Sequence, residues 1–350
     1  MSQLQILSGL GDKAPAAMLL DTPDARLLIE LGGPLEPGLP RGWDLPDDRP
    51  VDAVVISHDH VDHMGAVDLL TAGMPVYATE PVAASLPLRL DRRRLPLQGQ
   101  IDLAGVTLRC GQAGHSLGGV WLHFEIGGGV LYSGDFSLES TLFRFDPPPP
   151  AALALLDASY GLYDRAQDEC RKALERCLIR PTLLPVPASG RALEMALWLD
   201  DLGISWAMDQ RCAEQLDRLL TLPDGCFQPG ARSRLARLAV STDLASAQVV
   251  LVGSPEGIGP VIEPLIARGD RQLIYTGYLP PKARGDVQSG RAQWLRWNVH
   301  PRASDLCSLA EAVNAEQVVP LFTSLEDACA WRGVLGPRLY RPQDAVIALD

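Results

Sequence analysis

The stretch HDHVDH, residues 58–63, gathers three of the chain's six histidines and two of its aspartates. Imidazole and carboxylate together suit Zn, Mn or Fe. His58 and His60 stand two apart, so an extended backbone turns both side chains the same way and lets them chelate one ion. Asp62 and His63 follow as a helix begins and can reach a second ion. Two ions roughly 3.5–4 Å apart clamp the attacking and leaving oxygens of a displacement. The remaining donors must come from elsewhere. His115 lies in the glycine-rich CGQAGHSLGG, and Asp135 ends the strand of LYSGDFS, where its two oxygens could bridge both ions. A surface loop that merely hydrogen-bonds is the plain alternative, and histidine is too sparse in this chain to make chance clustering a good account.

Such donors need strand ends to hold them. The run 51–57, VDAVVIS, reads as a strand delivering the cluster, and 63–73 as a short helix closed by glycine. Residues 16–33 read as a hairpin turned at Pro23 and Asp24, and 119–135 as a second hairpin around a glycine turn. The stretches GMPVYATEP and IDLAGVTLRCG add strands, as does 151–161 after a proline run. From about residue 163 to about residue 285 the texture becomes helices alternating with apolar strands, the mark of a parallel-sheet α/β unit. The end returns to a strand, an apolar-faced helix and a strand. His123, inside the strand VWLHFEI, reads as a strand-face residue apart from the metal ligands.

The 350 residues are 47% hydrophobic, enough for one large or two ordinary domains. A net charge of −12 rules out a general basic coat for nucleic acid, so a polyanionic partner must be met by a local basic cleft or by bound metal. The seven cysteines are scattered without a CxxC pair, which fits a reducing compartment. The start lacks a signal-like pattern and no apolar run is long enough to span a membrane, so the expected location is the cytoplasm.

HDHVDH, AGHSLGG and YSGDFS together resemble the metallo-β-lactamase superfamily, whose pattern is HxHxDH, then a histidine, then an aspartate. The resemblance implies an α/β fold: an αββα sandwich with metals at the open edge between two sheets. Residues 155–161 (LLDASYG), 183–199 (LLPVPASGRALEMALWL) and 249–278 (VVLVGSPEGIGPVIEPL to RQLIYTGY) resemble its β-CASP nuclease branch. The implied organisation is a first part at 1–162, an inserted β-CASP domain at 163–285, and a completion at 286–350.

The resemblance also implies roles. Asp157 is the acid of LLDASYG, and His300 in WNVHPRASDL is the histidine near the scissile phosphate, with Asp305 later than the family pattern has it. Phe322 in QVVPLFTS stands at the last metal-ligand histidine, and a phenyl ring cannot coordinate. The expectation is one tight ion at His58, His60, His115 and Asp135 and one weak, exchangeable ion, Mn2+ and/or Zn2+. Glu30 in LLIELGG replaces an early aspartate and would orient a ligand. Ser189, Gly190 and Arg191, where a strand meets a helix, could hold a phosphate through backbone N–H groups and a guanidinium. Arg191 could equally pair with Glu194 one turn along.

The implied reaction is hydrolysis of phosphodiester bonds in single-stranded RNA and/or DNA, bound in the interdomain cleft. Asp62 would position the water, His300 would donate a proton, and Asp157 would orient His300 or a ligand. Two rivals share the fold: hydrolysis of a small phosphodiester or thioester, and a catalytically weakened scaffold subunit. Monomer and dimer both remain open.

Overall fold

The structure is a computed structural model that describes residues 2–36, 38–46 and 48–349. In chain order the first strands are β1 (Ser2–Ser8), β2 (Ala17–Asp21), β3 (Arg26–Ile29) and β4 (Ala53–Val55), followed by helix α1 (Val61–Met64). Then come β5 (Pro75–Ala78), α2 (Glu80–Ala83), β6 (Asp91–Arg94), β7 (Gly99–Leu103), β8 (Val106–Gln112), β9 (Val120–Phe124), β10 (Val130–Tyr132) and β11 (Leu153–Asp157). The middle of the chain carries α3 (Gln167–Glu175), β12 (Thr182–Pro185), α4 (Arg191–Asp201), β13 (Trp206–Met208), α5 (Gln210–Leu220) and α6 (Ala231–Leu235). It continues with β14 (Val249–Val252), α7 (Ile262–Arg268), β15 (Gln272–Tyr275), α8 (Pro281–Gln288) and β16 (Ala292–Trp294). The last elements are α9 (Ala303–Ala312), β17 (Gln317–Leu321), α10 (Ala328–Leu335) and β18 (Val346–Leu349).

The chain forms two compact units, one of residues 1–138, 145–164 and 300–350, the other of 139–144 and 165–299. The first is an αββα sandwich. One sheet runs β18-β1-β2-β3-β4-β5-β6, the other β17-β11-β10-β9-β8-β7. Strand periodicity of two divides the side chains between faces. Leu27 and Ile29 of β3, Val55 of β4, Leu122 and Phe124 of β9 and Leu155 of β11 meet in the core between the sheets. Leu28 and Val54 turn outward against Met64 of α1 and Val82 of α2. Leu131, Ala154 and Leu156 turn outward against Leu306 and Leu309 of α9 and Trp331 of α10. A one-residue slip in any of these strands would exchange the two faces, so the register is strongly specified.

Strand direction then decides where chemistry can gather. β3 and β4 pair in parallel, as do β10, β11 and β17. Parallel neighbours end at the same edge, and open α/β sheets bind ligands there.

The second unit holds one all-parallel sheet in the order β13-β14-β12-β15-β16. VVLV of β14 and TLLP of β12 are fully buried, the continuous apolar reading of strands covered on both faces. Residues 139–144 join this unit because the buried Glu194 carboxylate accepts from Ser140 Oγ and from the backbone N–H groups of Thr141 and Leu142. β16 belongs to it as well, through parallel pairing with β15, so the unit runs to residue 299 where the sequence reading placed the return at 286.

Several local expectations are amended. The helix expected over 63–73 is only α1, followed by a single 3-10 turn at Val67–Leu69. The chain must turn at Gly65, where a Cβ would stand 2.4 Å from the Val61 carbonyl oxygen and against Gly33. β1, which the sequence reading passed over, pairs antiparallel with both β2 and β18. Glu194 takes the neighbours named above and the Trp297 indole N–H, so its carboxylate serves the 139–144 segment.

Candidate metal centre

His58 and His60 lie in the loop that leaves β4, and Asp62 and His63 lie on α1. His115 follows β8, Asp135 follows β10, Asp157 ends β11, and His300 precedes α9. All eight fall in the sandwich unit. His58, His60, His115 and Asp135 each present one donor atom, and these atoms lie within 4.8 Å of one another. His60 Nδ1 stands 3.2 Å from His115 Nε2, and Asp135 Oδ2 is 3.5 Å from both His58 Nε2 and His115 Nε2. His58 Nδ1 takes Ser57 Oγ at 2.9 Å, while its buried Nε2 makes no hydrogen bond. A buried imidazole nitrogen without a partner, facing two more imidazoles and a carboxylate, is a costly arrangement for hydrogen bonding alone. It fits a shared cation, and three imidazoles with one carboxylate is a donor set divalent transition metals accept.

The electrostatics agree with that fit. Burial drives the His60 imidazole down to about 4, with His58 adding repulsion. Burial likewise holds His115 well below its ordinary value, with His300 and the neighbouring histidines opposing protonation. Both stay neutral near pH 7, the state a ligand requires. Burial would raise the Asp135 carboxyl, but His63 and His300 outweigh it and hold the group well below the usual carboxylate range.

His300 and Asp157 form a tight pair: His300 Nδ1 lies 2.8 Å from Asp157 Oδ2. A carboxylate can only accept, so Nδ1 carries the proton in this pair and Nε2 is the ring's other working nitrogen. Asp157 is itself held by the Ser159 N–H on Oδ1 and is fully buried. Asp305, which the family pattern would bring nearer the site, instead closes the start of α9 by accepting from the Arg302 N–H and guanidinium.

The expected second-ion donors come together differently. Among the described residues Asp62 joins none of the donor groups. His63 places Nδ1 3.3 Å from Glu30 and Nε2 3.2 Å from Asp135. Burial disfavours charge on His63, yet Asp135 and Glu30 prevail and raise it well above its ordinary value. Glu30 also accepts the Ser57 N–H, which ties the His58 loop to β3. Phe322 ends β17 with its ring edge-on to His63 at 5.5 Å between centroids. Both Glu30 and Phe322 sit in the left-handed region, at φ 64° and 63°. That conformation costs roughly 1–3 kcal/mol in a non-glycine residue and persists only where the surroundings enforce it.

Lys13, in the loop between β1 and β2, was not singled out in the sequence. Its ammonium donates to Ser159 Oγ at 3.0 Å and lies 3.6 Å from Asp62 Oδ2. No spacing motif could have exposed it. The glycine-rich loop SGLGDKAP was its only signal. His123 stays outside these groups, bonded through Nε2 to the Pro150 carbonyl.

Ser189, Gly190 and Arg191 lie in the other unit, where β12 meets α4. Gly190 caps α4 at φ 72°, and the Arg191 guanidinium fills the space beside Gly277 so closely that a Cβ there would meet it at 2.1 Å.

Residues 26–172 match the model of the beta-lactamase superfamily domain. The chain is 30% identical over 257 residues to transcription termination factor FttA of Cenarchaeum symbiosum, a match covering 56% of this chain and 38% of that protein. It is 27% identical over 218 residues to an RNase J-like protein of Methanocaldococcus jannaschii, covering 52% and 50%. Against cleavage and polyadenylation specificity factor subunit 3 of Dictyostelium discoideum it is 26% identical over 209 residues, covering 46% and 26%. The chain thus spans 38% of the length of the FttA protein. A crystal structure of a protein of unknown function from Enterococcus faecalis V583 shares the fold, with a TM-score of 0.66, 13% identity and 99% of each chain covered. With the sandwich and the donor cluster at its strand ends, residues 26–172 form a domain of the beta-lactamase superfamily.

Proposed function

We propose that the protein is a metal-dependent nuclease that hydrolyses phosphodiester bonds of single-stranded RNA and/or DNA. The observation that carries this reading is the group His58, His60, His115 and Asp135, with the His300–Asp157 pair beside it: His300 Nδ1 lies 3.6 Å from Asp135 Oδ2. The first four would hold one divalent ion, Zn2+ or Mn2+. When bound, that ion supplies Lewis acidity toward a phosphoryl oxygen and eases deprotonation of the attacking water.

The protein's own residues do the rest. Asp157 holds the His300 proton on Nδ1 and so fixes the ring's orientation; Nε2, when protonated, donates to the leaving oxygen. Ser57 and Glu30 position the His58 loop. Asp62, buried on α1 beside the His58 loop, would orient water. Ser189, Gly190 and Arg191, at the start of α4, are the proposed phosphate holders; such contacts position a strand without reading its sequence.

The test is elemental analysis of the purified protein, followed by degradation of labelled single-stranded RNA and DNA with and without added Mn2+ or Zn2+. His115→Ala and His300→Ala run alongside. The expected result is metal-dependent turnover lost in both variants, His115→Ala with reduced metal and His300→Ala with metal retained. A bound ion with no turnover on either polymer would overturn the reading. It would leave a small phosphodiester or thioester, or a non-catalytic subunit.

A further inference from the structure

Each group expected to hold a second ion already has a neighbour. Asp62 has Lys13, 3.6 Å away, and position 322 carries a ring with no donor. His63 forms a donor group with Glu30 and His58, but His58 also belongs to the first group and has one nitrogen left after Ser57. An ion in the first group therefore leaves this one two donors. We infer that the centre is built for a single divalent ion, and that the Lys13 ammonium is a resident cation standing in for the second.

Three other segments converge on that ammonium. The β1–β2 loop supplies it, and α1 supplies Asp62. The turn after β11 supplies Ser159, which accepts its proton at 3.0 Å. The end of β17 supplies Phe322, whose ring centroid lies 5.5 Å from Nζ. The charges facing it are Asp62, Asp135 and Asp157. Ser159 also links it to the proton-transfer pair, since the Ser159 N–H donates to Asp157 and Asp157 holds His300.

An ordinary surface ion pair would need only one carboxylate and open water. Here the lysine side chain is 33% exposed, its ammonium pairs with Asp62, and the charges of Asp135 and Asp157 also favour it. The phenyl ring is part of the same device. It cannot coordinate a transition metal, yet its π face attracts an ammonium within about 6 Å. The ring's place is reserved from below: a Cβ at Gly9 would meet Phe322 Cε1 at 2.6 Å, and the Phe322 N–H donates to the Gly9 carbonyl at 2.7 Å. Glycine at position 9, lysine at 13 and phenylalanine at 322 therefore belong together.

The chemistry follows from the difference between the two cations. An ammonium offsets the carboxylates and attracts phosphoryl oxygens, but it has no empty orbital and does not acidify a bound water as a divalent ion does. Ser159 and Asp62 fix its place, and it cannot be chelated away.

This inference rests on the metal-site reading above, and ion stoichiometry tests it whether or not any polymer is cut. The apoprotein is titrated calorimetrically with Zn2+ and separately with Mn2+, with elemental analysis after gel filtration. The wild type is expected to hold one ion per chain. Lys13→Ala with Phe322→His, which clears the ammonium and restores an imidazole, is expected to hold two. Two ions in the wild type would overturn the inference, as would one ion in a double variant whose circular dichroism and melting match the wild type. The wild-type count needs no variant to fold. No ion in the wild type would overturn the metal site itself. One ion with no cleavage of RNA or DNA would remove the nuclease reading and leave the single-ion centre standing.

Discussion

At the scale of the residue, the sharpest geometry is the 2.8 Å contact between His300 Nδ1 and Asp157 Oδ2. A fully buried carboxylate facing an imidazole is worth its desolvation when it fixes a tautomer, and here it sets which nitrogen works. On the proposed reading Asp157 acts through His300 and is a positioning residue. Asp157→Asn keeps the shape and removes the charge that demands a proton on Nδ1. The expected outcome is a fall in kcat of ~10²–10⁴, the usual span for losing general acid–base catalysis, with KM and metal content nearly unchanged. Steady-state kinetics with elemental analysis on the same preparation checks it. A parallel loss of bound metal would instead assign Asp157 to holding the ion.

At the scale of the element, strand ends supply the ligands and helix ends supply little. α1 is a single turn, too short to hold its own shape without the sheet beneath it. In the other unit α8 is fastened to the sheet by one buried carboxylate. Asp286 accepts from Lys282 Nζ at 2.9 Å, from the Arg291 guanidinium at 2.9 Å and from the Tyr275 hydroxyl at 3.3 Å. Burial alone would raise its carboxyl, but Lys282 and Arg291 outweigh that and lower it below the ordinary 3.8. A carboxyl depressed in the folded state binds its proton more readily once unfolded. Its stabilising contribution is therefore complete above the unfolded value and is lost as pH falls through the folded one. Asp286→Asn should cost about 0.5–1.5 kcal/mol at neutral pH, the net worth of a hydrogen bond whose charged partners, Lys282 and Arg291, can turn to water. Denaturant melts of both proteins at several pH values should show the difference intact at neutral pH and shrinking as pH falls below the ordinary carboxyl value. A gap unchanged down to the acid limit would mean that packing and not charge holds α8.

At the scale of the whole molecule, the donor group draws on both sheets of the sandwich. His58 and His60 follow β4 of one sheet, while His115 and Asp135 follow β8 and β10 of the other. An ion held by all four cross-links the sheets in the folded state and has no such site in the unfolded chain. Ligation by mass action then stabilises the fold by about 2.7 kcal/mol at a hundredfold excess over Kd. Chelation should lower Tm by several degrees, and added Zn2+ should restore it. His115→Ala should melt at the chelated wild-type temperature and respond to neither treatment, as scanning calorimetry would show. On the proposed reading, the net charge of −12 means that affinity for a nucleic acid would have to come from the site and from a few local basic groups.

Much of this was legible along the chain. Apolar runs and alternation marked the strands β2 to β5 and β7 to β11 but not β6, whose DRRR has neither. Glycines marked their turns, and HDHVDH, His115 and Asp135 pointed to a donor cluster by residue type and spacing. These signals are local, because backbone geometry repeats over a few residues. The tertiary structure decided what those signals could not. Glu30 and Asp135 flank the two nitrogens of His63, Asp157 holds the proton of His300, and Lys13 reaches Asp62, Ser159 and the ring of Phe322 on three distant segments. A lysine in a glycine-rich loop and a phenylalanine at a strand end carry no mutual pattern in the sequence. They meet because β10, β11 and β17 run parallel and end at one edge, and because the β1–β2 loop passes over that edge. Which charge meets which carboxylate is set by strand order and direction, and those are properties of the folded sheets.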